Sequence, residues 1–164
     1  MTPTQLRIVE ADPRGPDALD LLRLAAMEAR DLYPELDDPD ARWPTNAATP
    51  PRGAYVLAWS GDQAVGMAAH RPLDHTATEV RRMYVRQDAR RSGVARALLL
   101  RIEHHAGVAG FTRLLLETGN RQTAAMALYE SCGFTRIDAF GEHGDDPTSV
   151  CYAKNVLPPA GVAG

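Results

Sequence analysis

The run Arg90, Arg91, Ser92, Gly93, Val94, Ala95 gathers residue types that suit a phosphate. Val94, Leu98, Ile102 and Ala106 then recur at helical spacing, which puts the run at the start of a helix. First-turn N–H groups have no partner within a helix, and the helix dipole adds partial positive charge there. Gly93 lets a ligand come close to the backbone, and Arg90 and Arg91 supply full charges. Together these make an anion site fit for a phosphate or pyrophosphate. A P-loop would need Gly-x-x-x-x-Gly-Lys-Ser/Thr and a dinucleotide fingerprint Gly-x-Gly-x-x-Gly; the chain has neither.

The elements that must hold this run follow from pattern and punctuation. Residues 6–10 read as a first strand, and Pro13, Gly15 and Pro16 as a turn. Asp17 is the expected N-cap of a helix over residues 18–32, with Leu19, Leu22, Ala26 and Ala29 on its apolar face. Residues 33–51, rich in Pro and Asp, predict a loop or a broken short helix. Strands are expected at 54–59 and 64–70 around a hairpin turn at residues 60–62, with Gly66 marking a bulge or a close backbone approach. A strand at 79–85 leads into the phosphate run. Beyond the central helix come a leucine-rich strand at 113–118 and a helix at 124–132, capped by Thr123 and stopped by Gly133. Strands at 134–137 and 149–156 flank a polar loop at 141–147. The central strand–helix–strand unit must cross over right-handed, so its two strands lie parallel. Hairpins on either side make the sheet mixed.

The pattern Arg90-x-x-Gly93-x-Ala95, with the strand before it and the segments LLLETG and AMALYESCGF after it, resembles the acyl-CoA loop region of the GNAT (acyl-CoA N-acyltransferase) superfamily. The resemblance runs over residues 65–156 and is closest to small single-domain bacterial-type N-acetyltransferases. It implies an α/β fold with a mixed, mostly antiparallel sheet, a splayed central parallel pair and flanking helices. It also implies one N-acetyltransferase domain over residues 1–157, followed by a disordered tail at 158–164. The co-substrate would be acetyl-CoA, with no metal. Its pantetheine arm would lie against the backbone of Met83, Tyr84 and Val85. Its pyrophosphate would rest on the N–H groups of Arg91, Ser92, Gly93, Val94 and Ala95 and on the Arg90 side chain. Where the family often carries Asn, seven residues before its tyrosine, this chain has Gln122, and Asn120 stands close by as a substitute.

Acetylating an amine needs its free lone pair, yet an alkyl amine of pKa ~10 is mostly protonated at neutral pH, so a base helps. The departing thiolate, in turn, accepts a proton from a nearby acid. The resemblance gives the acid role to Tyr129 and the base role to Glu79, which opens the strand before the phosphate run. Otherwise Tyr129 is an amphipathic core residue and Glu79 a strand-edge carboxylate paired with an arginine such as Arg81. Glu117 is a second candidate base, followed by His70 and by His143, whose loop borders the acceptor. Glu35, Asp37, Asp38 and Asp40 stand in the region that would fold over the acceptor; they attract a cationic amine or form a solvated acidic loop.

Composition sets the outer bounds. The chain has 164 residues, enough for a core of its own, and a net charge of −3, which argues against a broad nucleic-acid-binding surface. Cys132 and Cys151 lack the spacing of a zinc framework or disulfide scaffold and read as buried thiols of a reducing compartment. His104 and His105 do not share a helix face, so they make no metal pair. No apolar run suits a signal peptide or a membrane span, so the expected compartment is the cytoplasm. The expected activity is direct acetyl transfer from acetyl-CoA to a small-molecule or peptide amine in a ternary complex, and the resemblance leaves a homodimer open. The alternatives are a non-catalytic acyl-CoA-binding regulatory module, or an acyltransferase using another acyl group or an O-acceptor.

Overall fold

The computed structural model describes residues 5–157; the tail at 158–164 lies outside the described residues. Seven strands form one sheet: β1 (Leu6–Glu10), β2 (Ala54–Ser60), β3 (Gln63–Pro72), β4 (Ala77–Val85), β5 (Arg113–Gly119), β6 (Thr135–Ile137) and β7 (Ser149–Asn155). Their order is β1-β2-β3-β4-β5-β7-β6, and only β4–β5 is parallel. Helix α1 (Pro16–Leu32) covers one face, and α2 (Val94–Val108) and α3 (Thr123–Ser131) cover the other. This is the expected mixed α/β fold with its central parallel pair. Because both faces are covered, Ala54 to Ala58 of β2 are all buried and show no alternation.

Several boundaries differ from expectation. Pro16 takes the first helical position of α1, where its fixed φ suits a helix and its missing N–H costs nothing, so Gly15 is the N-cap and not Asp17. Asp17 instead sits in the first turn, where its charge favours the dipole. The buried face is Ala18, Leu21 and Leu22, turned from the expected one so that Ala29 is exposed. Likewise α3 begins at Thr123 with Gln122 as N-cap, and no side chain caps it. Strand β4 starts two residues before Glu79, because Asp74 Oδ1 accepts the N–H groups of Thr76 and Ala77 at 2.8 Å each and closes the preceding turn there.

Two bulges shape the sheet's centre. On β3 the register jumps between Ala58↔Gly66 and Trp59↔Ala64, leaving Val65 extra. A Cβ on Gly66 would come within 2.9 Å of Leu98 Cδ1, so this glycine admits α2 onto the sheet. On β4, Met67 faces Tyr84 and Ala69 faces Arg81, so Arg82 and Met83 together oppose Ala68. Arg82 takes a left-handed φ of 60°, held by its Nε donating to Asn46 Oδ1 at 2.9 Å. A bulge bends its strand and sharpens the twist. The β4–β5 ladder runs only from Ala77↔Arg113 to Val80↔Leu116, and beyond it the strands part.

Candidate active site

The parting strands leave an opening edged by residues 81–85 of β4 and by Glu117, Thr118 and Gly119 of β5. The start of α2 follows β4 in the chain, after a short turn at residues 87–89. Gly93 is the N-cap in a left-handed conformation, φ 87°, and no side chain caps the helix. Space around the Gly93 α-carbon is open, since a Cβ there would meet nothing within 4 Å. Ser92 Oγ donates back to the Ala89 carbonyl at 2.7 Å, so it leaves the first-turn N–H groups of Val94 and Ala95 free for a ligand. Arg91, at φ 65°, lies exposed beside them. Arg90 points elsewhere: its Nε donates to the Val85 carbonyl at 2.9 Å, and its guanidinium meets Glu28 Oε2 at 2.7 Å. It therefore ties the loop to β4 and α1. Tyr84 shares that cluster; burial first, then Glu28, push its hydroxyl up to about 12. Met83 is half-buried against the core, and Val85 pairs with Gly66. Asn120, whose N–H donates to the Thr148 carbonyl at 2.8 Å, and Gln122 are both exposed at the turn after β5.

Tyr129 of α3 is packed in the core on the α2 face of the sheet. It is 5% exposed, its ring centroid 5.9 Å from that of Phe134 and 6.1 Å from that of Tyr152. Burial, then the charge of Glu117, push its hydroxyl well above the ordinary tyrosine range. The opposite face holds a cleft of about 360 Å³, lined among others by Tyr33, Leu36, Asp38, Glu117 and Gly119. Glu117 reaches into it, and burial raises its carboxyl above the usual range while His143 opposes the rise.

Glu79 is nearby but differently placed. It is 3% exposed, and both its oxygens are engaged: Arg71 Nε donates to Oε1 at 3.2 Å, and His143 Nε2 lies 2.9 Å from Oε2. Its arginine partner is thus the cross-strand Arg71 and not Arg81. The far side of the His143 ring, Nδ1, lies 3.1 Å from Glu117 Oε2. Three candidates scattered over the sequence therefore form one chain, Glu79–His143–Glu117, ending at the cleft. His70 is not among them. It is buried on the α2 face, with Nδ1 2.8 Å from Thr78 Oγ1 and Nε2 2.8 Å from His105 Nδ1.

The acidic segment divides. Glu35 is paired with Arg121, and Asp37 with Arg30 at 3.1 Å. Asp38 accepts the Asp40 N–H at 2.9 Å and lines the cleft, whereas Asp40 is simply exposed. Tyr33 carries a role its place in the sequence did not reveal: its hydroxyl accepts the Arg121 N–H at 2.9 Å and lies so close to Gly119 that a Cβ there would collide. Arg71 and Glu142, joined at 3.1 Å, were equally hidden, because strand pairing and a distant loop bring them together. Cys151 is buried and Cys132 half-buried, and both are free. Among the described residues there is no cluster fit for a metal ion and no helix long and apolar enough to cross a membrane.

One parallel pair splayed within an antiparallel sheet, with an uncapped helix start after its first strand, defines the architecture of an acyl-CoA N-acyltransferase. The chain belongs to the acetyltransferase (GNAT) family, whose sequence model matches residues 18–134, and it is an acyltransferase. It is 36% identical over 108 residues to the uncharacterized N-acetyltransferase YsnE of Bacillus subtilis, a match covering 65% of this chain and 72% of that protein. Against an IAA acetyltransferase of Azospirillum brasilense and N-acetyltransferase 8 of Homo sapiens the matched stretch covers only 50% and 38% of their length. In structure it is similar to a putative acyl-CoA N-acyltransferase of Klebsiella pneumoniae, with TM-score 0.77 and 26% identity, covering 94% of this chain and 99% of that one. The same fold appears in a GNAT family acetyltransferase of Elizabethkingia anophelis crystallised with acetyl-CoA bound, with TM-score 0.66 and 20% identity over 92% of this chain and 97% of that one.

Proposed function

We propose that the chain, as a single domain over residues 1–157, transfers an acetyl group from acetyl-CoA to a primary amine by direct attack in a ternary complex. The observation that best supports this reading is Glu117 lining a cleft at the point where the β4–β5 ladder ends, with Tyr129 in the core on the other face of the sheet. The uncapped start of α2, the left-handed Gly93 and the open space beside it fit a pyrophosphate. The backbone of residues 91–95 would hold that group, with Arg91 adding charge and Arg90 fixing the loop. The unpaired edge of β4 at Met83, Tyr84 and Val85 would take the pantetheine amides, and Asn120 and Gln122 stand at the far rim.

Acetyl-CoA supplies an activated carbonyl, whose C–S bond breaks as the C–N bond to the acceptor forms. Glu117 takes the proton from the ammonium, so that the nitrogen lone pair is free to attack. Its raised pKa brings it nearer that of the amine, which lowers the cost of the transfer. Tyr129, which burial keeps protonated, gives its proton to the departing sulfur. Glu79, expected as the base, stands one step behind, across His143 from Glu117. The acceptor is a small-molecule or peptide amine that enters past Asp38 and Tyr33.

The test is acetyl-CoA-dependent thiol release over a panel of primary amines. The reading predicts amine-dependent release that falls sharply in Glu117→Gln. A protein that binds acetyl-CoA but accelerates release with none of the amines would overturn it.

A further inference from the structure

The His143 ring stands between two carboxylates. Nε2 lies 2.9 Å from Glu79 Oε2, and Nδ1 lies 3.1 Å from Glu117 Oε2. An ionised carboxylate only accepts, and a neutral imidazole carries a single N–H, which can serve one side only. On the other side two lone pairs would face each other at contact distance. The trio therefore needs one proton beyond that of a neutral ring, shared among its members as a coupled unit.

The scaffold holds the ring in place. His143 ends a short turn (Gly141–His143) whose Gly141 takes a φ of 54°, and Phe140 packs edge-on at 5.2 Å between centroids. Asp146 accepts from the N–H of Thr148 at 2.9 Å and from its hydroxyl at 2.7 Å, pinning the loop's far end. Behind Glu79 stands Arg71, which Glu142 also engages, while Arg81 lies 3.8 Å from Glu142. The charges that face Glu117 are His143, Arg81, Asp146 and Glu79, and Cys151 lies buried beside the two glutamates. Of these, His143 alone is in contact with the Glu117 carboxylate.

We propose that His143 is a positioning residue for the transfer: bridging Glu79 and Glu117, it keeps Glu117 ionised and aimed into the cleft, with Glu79 as the counter-charge that holds the extra proton on the ring. This rests on the reading of Glu117 as the base. Burial favours the protonated form of Glu117, and a protonated carboxyl cannot take the ammonium's proton. With the ring charged, Glu117 accepts that proton while the ring's own stays between His143 and Glu79.

The experiment follows the Glu117 side-chain carboxyl carbon and the His143 ring nitrogens by NMR as pH is varied, in the full chain, with His143→Gln, His143→Asn and Glu79→Gln beside it. It needs neither acyl donor nor amine, so it stays readable if the thiol-release screen fails, and the screen stays readable if this one fails. In the unaltered protein both ring nitrogens should carry hydrogen while Glu117 is ionised. In His143→Gln and His143→Asn the Glu117 midpoint should rise by about one pH unit or more, as expected when a charge in contact is lost, and in Glu79→Gln the ring should no longer keep hydrogen on both nitrogens over the same pH range. With any amine that the screen finds, the acid limb of kcat/KM should move up alongside the Glu117 midpoint. A Glu117 midpoint that stays put in folded His143→Gln and His143→Asn overturns the proposal, even if both variants are slow.

Discussion

Thr78 and Glu79 are neighbours on β4, and their side chains leave on opposite faces of the sheet, each at the head of a histidine chain. On the α2 face Thr78, His70 and His105 link at 2.8 Å each, and Glu10 ends the line 3.6 Å from His105. His70 there is 1% exposed, and burial, with His105 adding, lowers its pKa to about 4. On the α1 face Glu79, His143 and Glu117 make a similar line, but carboxylates stand at both ends and the last of them opens into a cleft. The α2-face line runs out to the exposed Glu10 on the edge strand β1, away from the place where the β4–β5 ladder stops. The other ends where the β4–β5 ladder has stopped, so a ligand can reach its terminal group. A buried polar chain becomes a candidate for chemistry by where it ends rather than by what it contains.

That contrast can be broken in several ways. Glu117→Gln should lower kcat/KM by about 10²–10⁴-fold, the usual worth of a general base, with acetyl-CoA affinity unchanged. Steady-state kinetics beside a binding titration would show it, and equal losses in both would mean a general distortion. Tyr129→Phe fills the same space and should lower kcat by about 10²-fold, the low end for a proton donor, with little change in thermal midpoint. An unchanged kcat would return Tyr129 to the core. Gly119→Ala pushes a Cβ into the Tyr33 hydroxyl, which should cost about 1–3 kcal/mol in denaturant unfolding and misshape the cleft.

On the α2 face, His70→Gln should leave kcat/KM as it was. It should also change how stability responds to acid. The folded pKa of His70 lies below its unfolded value, so the unfolded chain binds the proton first. Stability is whole above about pH 6.5, falls as pH drops toward about 4 and levels off below that, and His70→Gln should flatten the fall. Urea unfolding at a series of pH values would read this, and identical curves would place the acid sensitivity elsewhere.

How far the sequence led also divides along these lines. The α2 start, the order of elements and the parallel pair were legible because local signals set them: periodicity, Gly93, and the handedness of one crossover. Tyr129 was legible because it stands within a local pattern. The base was not. Glu79, Glu117 and His143 sit on two strands and a loop, and only pairing of β5 with both β4 and β7 brings them together. The Arg82 bulge that ends the ladder has no glycine to announce it; its left-handed turn is fixed by Asn46, from a loop read as irregular. The Arg90–Glu28 pair was hidden for the same kind of reason, since Glu28 lies on α1.

The most direct test of the account is calorimetric titration with acetyl-CoA, CoA and desulfo-CoA, on the unaltered protein and on Gly93→Glu. The substitution puts an anion at the proposed pyrophosphate cradle, at a φ that a side chain tolerates poorly. The account predicts that the protein binds acetyl-CoA and that Gly93→Glu, still folded by circular dichroism, does not. If the unaltered protein binds none of the three ligands, the start of α2 is an ordinary helix start and the proposed acetyl transfer fails with it.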